Sequence, residues 1–186
     1  MEALKYENIK TLKHENKKTK QDYYLIVSRI AGAKGIVLAM KAAGQLGFRL
    51  KIVGERSGLR WNDKEMERLQ TENIEFTGWV EDEQLWQLYA EAKGFLALAK
   101  DEDFGITVVE AQACGTAVIA YYGGGYKETV VEAKTGVFFR DYSVQGLIGA
   151  ILEFEKNKFK RANLVKNARR FSREKFVVAM RKVAER

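Results

Sequence analysis

Short apolar runs alternate with segments of helical periodicity along most of the chain, and this rhythm constrains the fold more than any other feature. Residues 23–30 (YYLIVSRI), 50–53 (LKIV), 74–79 (IEFTGW), 94–99 (GFLALA), 117–122 (AVIAYY) and 136–139 (GVFF) read as six strands. Between and after them, residues 34–46, 62–71, 81–92, 106–114, 126–132, 143–156 and 159–171 carry helical spacing. Gly47 and Gly115 stand where two of these helices must stop, and Glu81, Asp82 and Glu83 open another, where acids complement the helix dipole. Strands this short and apolar on both sides belong to a parallel sheet covered on both faces. The expected fold is therefore α/β: one doubly wound, Rossmann-like parallel six-stranded sheet. Its ligand belongs at the carboxyl ends of the strands, near the point where the strand order reverses.

The 186 residues suit one domain. Residues 23–175 are expected to form it, residues 1–22 a basic arm or linker, and residues 176–186 a basic helical tail. Apolar residues make up 46% and charged residues 31%, the balance of a soluble protein, and no apolar run approaches the ~20 residues that span a bilayer. The N-terminus carries no signal-peptide core, so a cytoplasmic setting is expected. Cys114 is the only cysteine, which excludes an internal disulfide and a cysteine-based zinc cluster.

The net charge of +7 has two sources. Lys10, Lys13, Lys17, Lys18 and Lys20 crowd the arm, and residues 156–175 carry nine further cations. Such patches are usually solvated helix surface, although they also suit peripheral contact with an anionic membrane. Phe154, Phe159, Phe171 and Phe176 are spaced as a buried helical stripe and not as a stacking platform, so no nucleic-acid partner is expected.

Three strand-end loops carry the chemistry. After the first strand, Arg29 and Lys34 lie five apart across a strand-to-helix turn, beside Ser28. Two cations and the free amides of a helix start would cradle a diphosphate; read singly, they are a surface Arg and Lys. After the fourth strand comes Lys100-Asp101-Glu102-Asp103-Phe104-Gly105, leading into a helix with Glu110. Carboxylates there suit the vicinal hydroxyls of a sugar or ribose, and Phe104, Gly105, Ile106 and Thr107 would bring backbone amides. A merely acidic loop is the plain alternative. Asp101 and Asp103 also fit an Asp-x-Asp metal pattern, but Arg29 and Lys34 already supply the positive charge, so no metal is expected. The run Gly123-Gly124-Gly125 follows the fifth strand, as a tight turn or a close approach to ligand. His14 lies among the arm's lysines and is not expected to act in catalysis. Trp61, Trp79 and Trp86 are read as core or rim residues, with Trp79 at a strand end where it could border a base.

Taken together, Glu102-Asp103-Phe104-Gly105-Ile106, Glu110-Ala111 and residues 115–120 resemble the Glu-x7-Glu signature of glycosyltransferase family 4. The Ser28-Arg29 to Lys34-Gly35 turn and residues 124–130 fall in that family's order and spacing, over roughly residues 23–175. The resemblance implies the nucleotide-sugar-binding half of a GT-B enzyme, one that transfers a sugar with retention of configuration and without a metal or other cofactor. Arg29 and Lys34 would neutralise the diphosphate leaving group, and Glu110 would hold the ribose hydroxyls. Glu102 would hold the donor sugar, with the amides of residues 104–106 beside it. Trp79 and Val80 would meet the base. The wording around residues 100–110 leans toward a mannosyltransferase using GDP-mannose, with a UDP-sugar as the other donor. Because the acceptor site of such enzymes lies in an N-terminal domain, this chain alone is expected to bind donor with little transfer. A non-catalytic scaffold and a basic surface-binding module are the competing functions.

The family commonly carries proline where this chain has Ala117 and Val108, and near Gly32 or Ala33. There is none at all, against about nine expected from average usage. Such an absence points to an engineered, proline-free variant of a natural domain. Losing proline raises the entropy of the unfolded chain and removes slow isomerisation from folding.

Overall fold

The computed structural model describes residues 20–56 and 63–185. His14, the lysines of the arm before Lys20, Trp61 and the expected helix start at Asn62 lie outside those residues. The chain runs through β1 (Tyr24–Val27), α1 (Ile36–Leu46), β2 (Leu50–Val53), α2 (Asp63–Leu69), β3 (Ile74–Gly78), α3 (Asp82–Glu91) and β4 (Gly94–Ala97). It continues through α4 (Ile106–Ala113), β5 (Val118–Tyr121), α5 (Tyr126–Thr129), β6 (Gly136–Phe139), α6 (Val144–Lys156), α7 (Arg161–Ala168) and α8 (Arg173–Ala184). The six strands form one wholly parallel sheet in the order β3-β2-β1-β4-β5-β6. The chain winds outward from β1 to β3, then returns to β4 on the other side of β1, so the order reverses between β1 and β4.

Alternation along the strands sorts the core into two layers. Tyr24, Ile26, Leu50, Ile52, Leu96 and Ile119 face α1 and α6, whose Met40, Ala43, Leu147 and Ile151 are fully buried against them. Leu25, Phe95, Ala97, Val118 and Ala120 face α3 and α4, meeting Trp86, Tyr89, Val108 and Ala111. The helices end as their residues dictate. Gly47 takes a left-handed φ of 76° and its amide closes α1 on the carbonyl of Ala43 at 2.8 Å. The Ser143 hydroxyl caps α6 by accepting from the amide of Gly146 at 3.0 Å.

Several elements are shorter than their apolar runs. β1 stops at Val27 and β4 at Ala97, although Leu98 and Ala99 stay buried. The reason is the reversal itself: β1 and β4 pair only through Tyr24–Gly94 and Leu25–Phe95 before they part, so later residues lose the ladder but not the core. Lys34 does not open a helix. It ends a 3-10 turn, Gly32–Lys34, and α1 starts only after Gly35, which holds a left-handed φ of 72°.

The aromatic stripe of the C-terminal segment is only partly buried. Phe154 is in the core with Phe159 stacked on it at 4.9 Å, and Phe171 meets Phe104 edge-on at 5.3 Å. Phe176 is 63% exposed, and α8 buries no residue. The sheet's outer faces are already covered, and α8 packs chiefly next to the turn Arg169–Phe171. Among the described residues no helix is long and apolar enough to cross a membrane.

Candidate functional site

Where β1 and β4 diverge, a cleft of about 140 Å³ opens at their carboxyl ends. Its lining includes Ser28, Arg29 and Lys34 from the loop after β1, Glu102 from the loop after β4, Ile106 and Thr107 from the first turn of α4, and Tyr126 from α5. The structure thus brings together six of the residues singled out from sequence, at the strand ends a doubly wound sheet reserves for ligands.

Lys34 and Glu102 meet directly across this cleft, with Nζ 2.9 Å from Oε2, and both side chains are about three-quarters buried. Tyr126 lines the same cleft, and burial, then the nearby Glu102 carboxylate, pushes its phenol well above its ordinary range. The Glu102 carboxylate thus lies against the ammonium of Lys34, and Arg29 is left exposed at the rim.

The acidic loop owes its shape to glycine. Gly105 caps α4 with a φ of 80°, and a Cβ there would strike the Tyr126 ring at 2.8 Å. Gly124, at a φ of 48°, lies so close that a Cβ would come within 2.3 Å of the Glu102 carbonyl. The amide of Gly125 donates to that same carbonyl at 2.7 Å. The glycine run is thus a backbone brace for the Glu102 loop, a packing reason that the sequence alone left open between turn and ligand approach.

Glu110 does not line the cleft. It sits one turn into α4 with its Oε2 accepting a 2.8 Å hydrogen bond from the hydroxyl of Tyr89, a fully buried residue of α3. Burial raises its carboxyl to about 7, with Asp82 adding to the rise and the Tyr89 bond opposing it. Trp79 and Val80 lie apart as well. Trp79 is 64% exposed just beyond β3 and borders a second hollow of about 830 Å³ with Arg56, Met66 and Gln70. Val80 packs on the α3 side of the core. Phe104 is exposed and packs on Phe171. Asp101 and Asp103 point outward, and no cluster of three or more His, Cys, Asp or Glu suited to a metal ion occurs among the described residues. Trp86 is core, as read, with its indole nitrogen buried and unpartnered; Cys114 is buried too.

Tyr89 was not singled out from sequence, although its hydroxyl bonds Glu110; its only signal was a phenol within an apolar helical pattern, which looks like any core aromatic. Tyr126 falls in the 124–130 segment that carries the family resemblance, which gave it no role of its own. A polar knot behind the site was likewise silent. Asn167 donates to Gln112 Oε1 at 2.6 Å and to the Thr129 carbonyl at 2.8 Å, while Gln112 donates to that carbonyl at 2.8 Å. This knot ties α7 to α4 and α5.

Comparison with known proteins points one way. The family model for group 1 glycosyl transferases matches residues 8–171. A glycosyltransferase of Methanocaldococcus jannaschii is 26% identical over 168 residues, which cover 88% of this chain and 48% of that protein. The glycogen synthase of Thermus thermophilus is 31% identical over 130 residues, 68% of this chain and 30% of the synthase. The chain therefore spans half or less of the length of these relatives. Among solved structures, Anabaena HepE in complex with UDP-glucose superposes with a TM-score of 0.74 at 23% identity, over 96% of this chain and 52% of that one. This last likeness speaks to the fold, the Rossmann-like half of a GT-B architecture.

Proposed function

This chain belongs to the glycosyl transferases of group 1, and we propose that its switch-point cleft holds the nucleotide diphosphate sugar from which a sugar is transferred. The observation that carries this reading is the convergence of Arg29, Lys34, Glu102 and the first turn of α4 on one cleft between β1 and β4. Breaking a glycosyl–phosphate bond leaves negative charge on the diphosphate. Arg29 and Lys34 meet that charge without a metal, and the amides at the start of α4 are preorganised for it. Ser28 flanks the phosphates. Glu102 takes hydroxyls of the sugar, Phe104, Gly105, Ile106 and Thr107 frame it, and Glu110 takes the ribose. Trp79 and Val80 border the base, toward the larger hollow. Transfer proceeds with retention of configuration.

The donor is a UDP-sugar or GDP-mannose, and the HepE complex with UDP-glucose supports trying UDP-glucose first. Thermal-shift and calorimetric titration with both donors should show saturable binding to one of them, weakened by Arg29→Ala and Glu110→Ala. No binding of either, or binding indifferent to both substitutions, would overturn the reading.

The acceptor is held by a further domain of the whole protein, as the length of the relatives suggests. Phe176, Met180 and Val183 leave an exposed apolar edge on α8, which we read as the face turned toward that domain. Robust glycosylation of an acceptor by this chain alone would exclude the division of labour. Co-sedimentation with anionic vesicles that depends on Phe176 would instead assign the edge to a membrane surface. The proline-free composition is read as replacement at sites such as Ala117, leaving the cleft residues in place.

A further inference from the structure

We propose that Tyr89 is a positioning residue of the donor site, fixing the Glu110 carboxylate so that its remaining lone pairs face the ribose hydroxyls. The inference rests on the assignment of Glu110 to the ribose. Geometry carries it. The Tyr89 hydroxyl donates to Glu110 Oε2 at 2.8 Å across the α3–α4 interface, and it is held there from three sides. Its ring lies 6.1 Å from that of Trp86, nearly parallel, and 5.6 Å from that of Phe95. Its backbone carbonyl accepts from the hydroxyl of Thr116, which in turn accepts from Lys20 at 2.5 Å. A fully buried phenol clamped in this way cannot follow a wandering carboxylate; the carboxylate must settle on it.

The pairing also bears on charge. Tyr89 and Asp82 from α3 are the titratable groups that act on Glu110, and Glu110 in turn pushes up the Cys114 thiol at the end of α4. Arg161 of α7 and Lys20 act on Cys114, and no cation pairs with Glu110 among the described residues. The phenol is thus the donor that favours the ionised form, and its own proton is secure, because burial and the adjoining carboxylate raise it far above its ordinary range. A protonated Glu110 would present one acceptor fewer to a ribose diol. Tyr89 therefore shifts the balance toward the ionised, binding form, against the burial that raises the carboxyl to about 7.

The test is Tyr89→Phe, which keeps the ring and removes only the hydroxyl. UDP and GDP binding is followed by calorimetry from pH 6 to 9, with the 2′-deoxynucleotides alongside. Affinity for the better-bound nucleotide should fall about tenfold near pH 7.5. Its rise with pH should move to higher pH, and the preference for ribose over deoxyribose should shrink. Carbon-detected NMR titration of the Glu110 carboxyl needs no ligand and should show its midpoint moving upward. An unchanged midpoint would overturn the proposal whether or not nucleotide binds. Failure of the parent to bind either nucleotide would strike the donor reading instead. Should Tyr89→Phe not fold, 3-fluorotyrosine at position 89, a stronger donor, should move the midpoint downward, and no movement would overturn the proposal equally.

Discussion

The ammonium of Lys34 lies 2.9 Å from the carboxylate of Glu102, joining the loop after β1 to the loop after β4 across the point where the strand order reverses. The pair is partly solvated, so its contribution to folding is small, about 1 kcal/mol or less. On the proposed donor reading its value lies in ligand charge. Lys34→Ala should leave the denaturation midpoint nearly unchanged while weakening nucleoside diphosphate binding ~10–100-fold, the scale of a lost charge-assisted hydrogen bond. Urea denaturation and calorimetry on the same preparation separate the two. A large loss of stability with unaltered binding would make the pair merely structural.

Gly124→Ala tests the brace under the acidic loop. The substitution forces a left-handed φ on a residue with a Cβ, costing about 1 kcal/mol, and drives that Cβ into the Glu102 carbonyl, where only backbone can yield. We expect a stability loss of ~2–3 kcal/mol together with weakened donor binding, because the loop carrying Glu102 must shift. Gly149→Ala is the control: nothing lies within 4 Å of its Cβ, and as an exposed helical site it should gain up to ~1 kcal/mol.

Much of this was legible in the residues. Period-two and helical patterns are local, so all six strands could be placed, and parallel order follows from their apolar character. The cleft residues Arg29, Lys34 and Glu102 were legible because loops at strand ends are where such a sheet must bind. Strand ends were overextended because burial at Leu98 and Ala99 outlasts hydrogen bonding. The direction of Glu110 was not legible: position on a helix gives its height along the axis, but not that Tyr89 of another helix awaits it. Phe176 shows the opposite failure, since an apolar stripe says that a face wants cover and nothing about whether this domain supplies it.

The knot behind α4 gives a stability prediction. Asn167→Ala removes the donor to Gln112 Oε1 and one of two donors to the Thr129 carbonyl, and it strips Arg170 of an acceptor at 2.8 Å. Gln112 is fully buried and water cannot easily replace the lost group. Loss of ~2–3 kcal/mol is expected on chemical denaturation; a change under ~0.5 kcal/mol would mean that the knot is redundant.

Restoring proline can be tried at Ala117, whose amide donates to no backbone acceptor among the described residues, although its carbonyl receives the amide of Phe95 at 2.9 Å. Ala117→Pro therefore sacrifices no backbone bond and restricts the unfolded chain. Stability should rise by ~0.4–1 kcal/mol, and refolding should acquire a phase of about tens of seconds that the parent lacks. A fall in the denaturation midpoint would show that the local backbone rejects proline.

The last prediction concerns the cost of burying the Glu110 carboxylate. Burial, with help from Asp82, raises the Glu110 carboxyl from 4.5 to about 7, against the pull of Tyr89. Between those values the folded chain keeps a proton that the unfolded chain has released, so stability falls as pH rises through the window. The penalty is absent below about 4.5 and complete above about 7. At ~1.4 kcal/mol for each tenfold ratio in proton affinity, it reaches the order of 3 kcal/mol. Glu110→Gln carries no charge to bury and its amide oxygen can still accept from Tyr89. The variant should therefore be more stable than the parent at pH 8, by ~1–3 kcal/mol, and should lose that advantage by pH 5. Its affinity for nucleotide should nonetheless fall, because one amide cannot accept from two ribose hydroxyls as a carboxylate does. Urea denaturation of both proteins across that range decides the matter: a stability difference independent of pH would mean that Glu110 is ionised at no cost, and that the burial seen around it does not act on its charge.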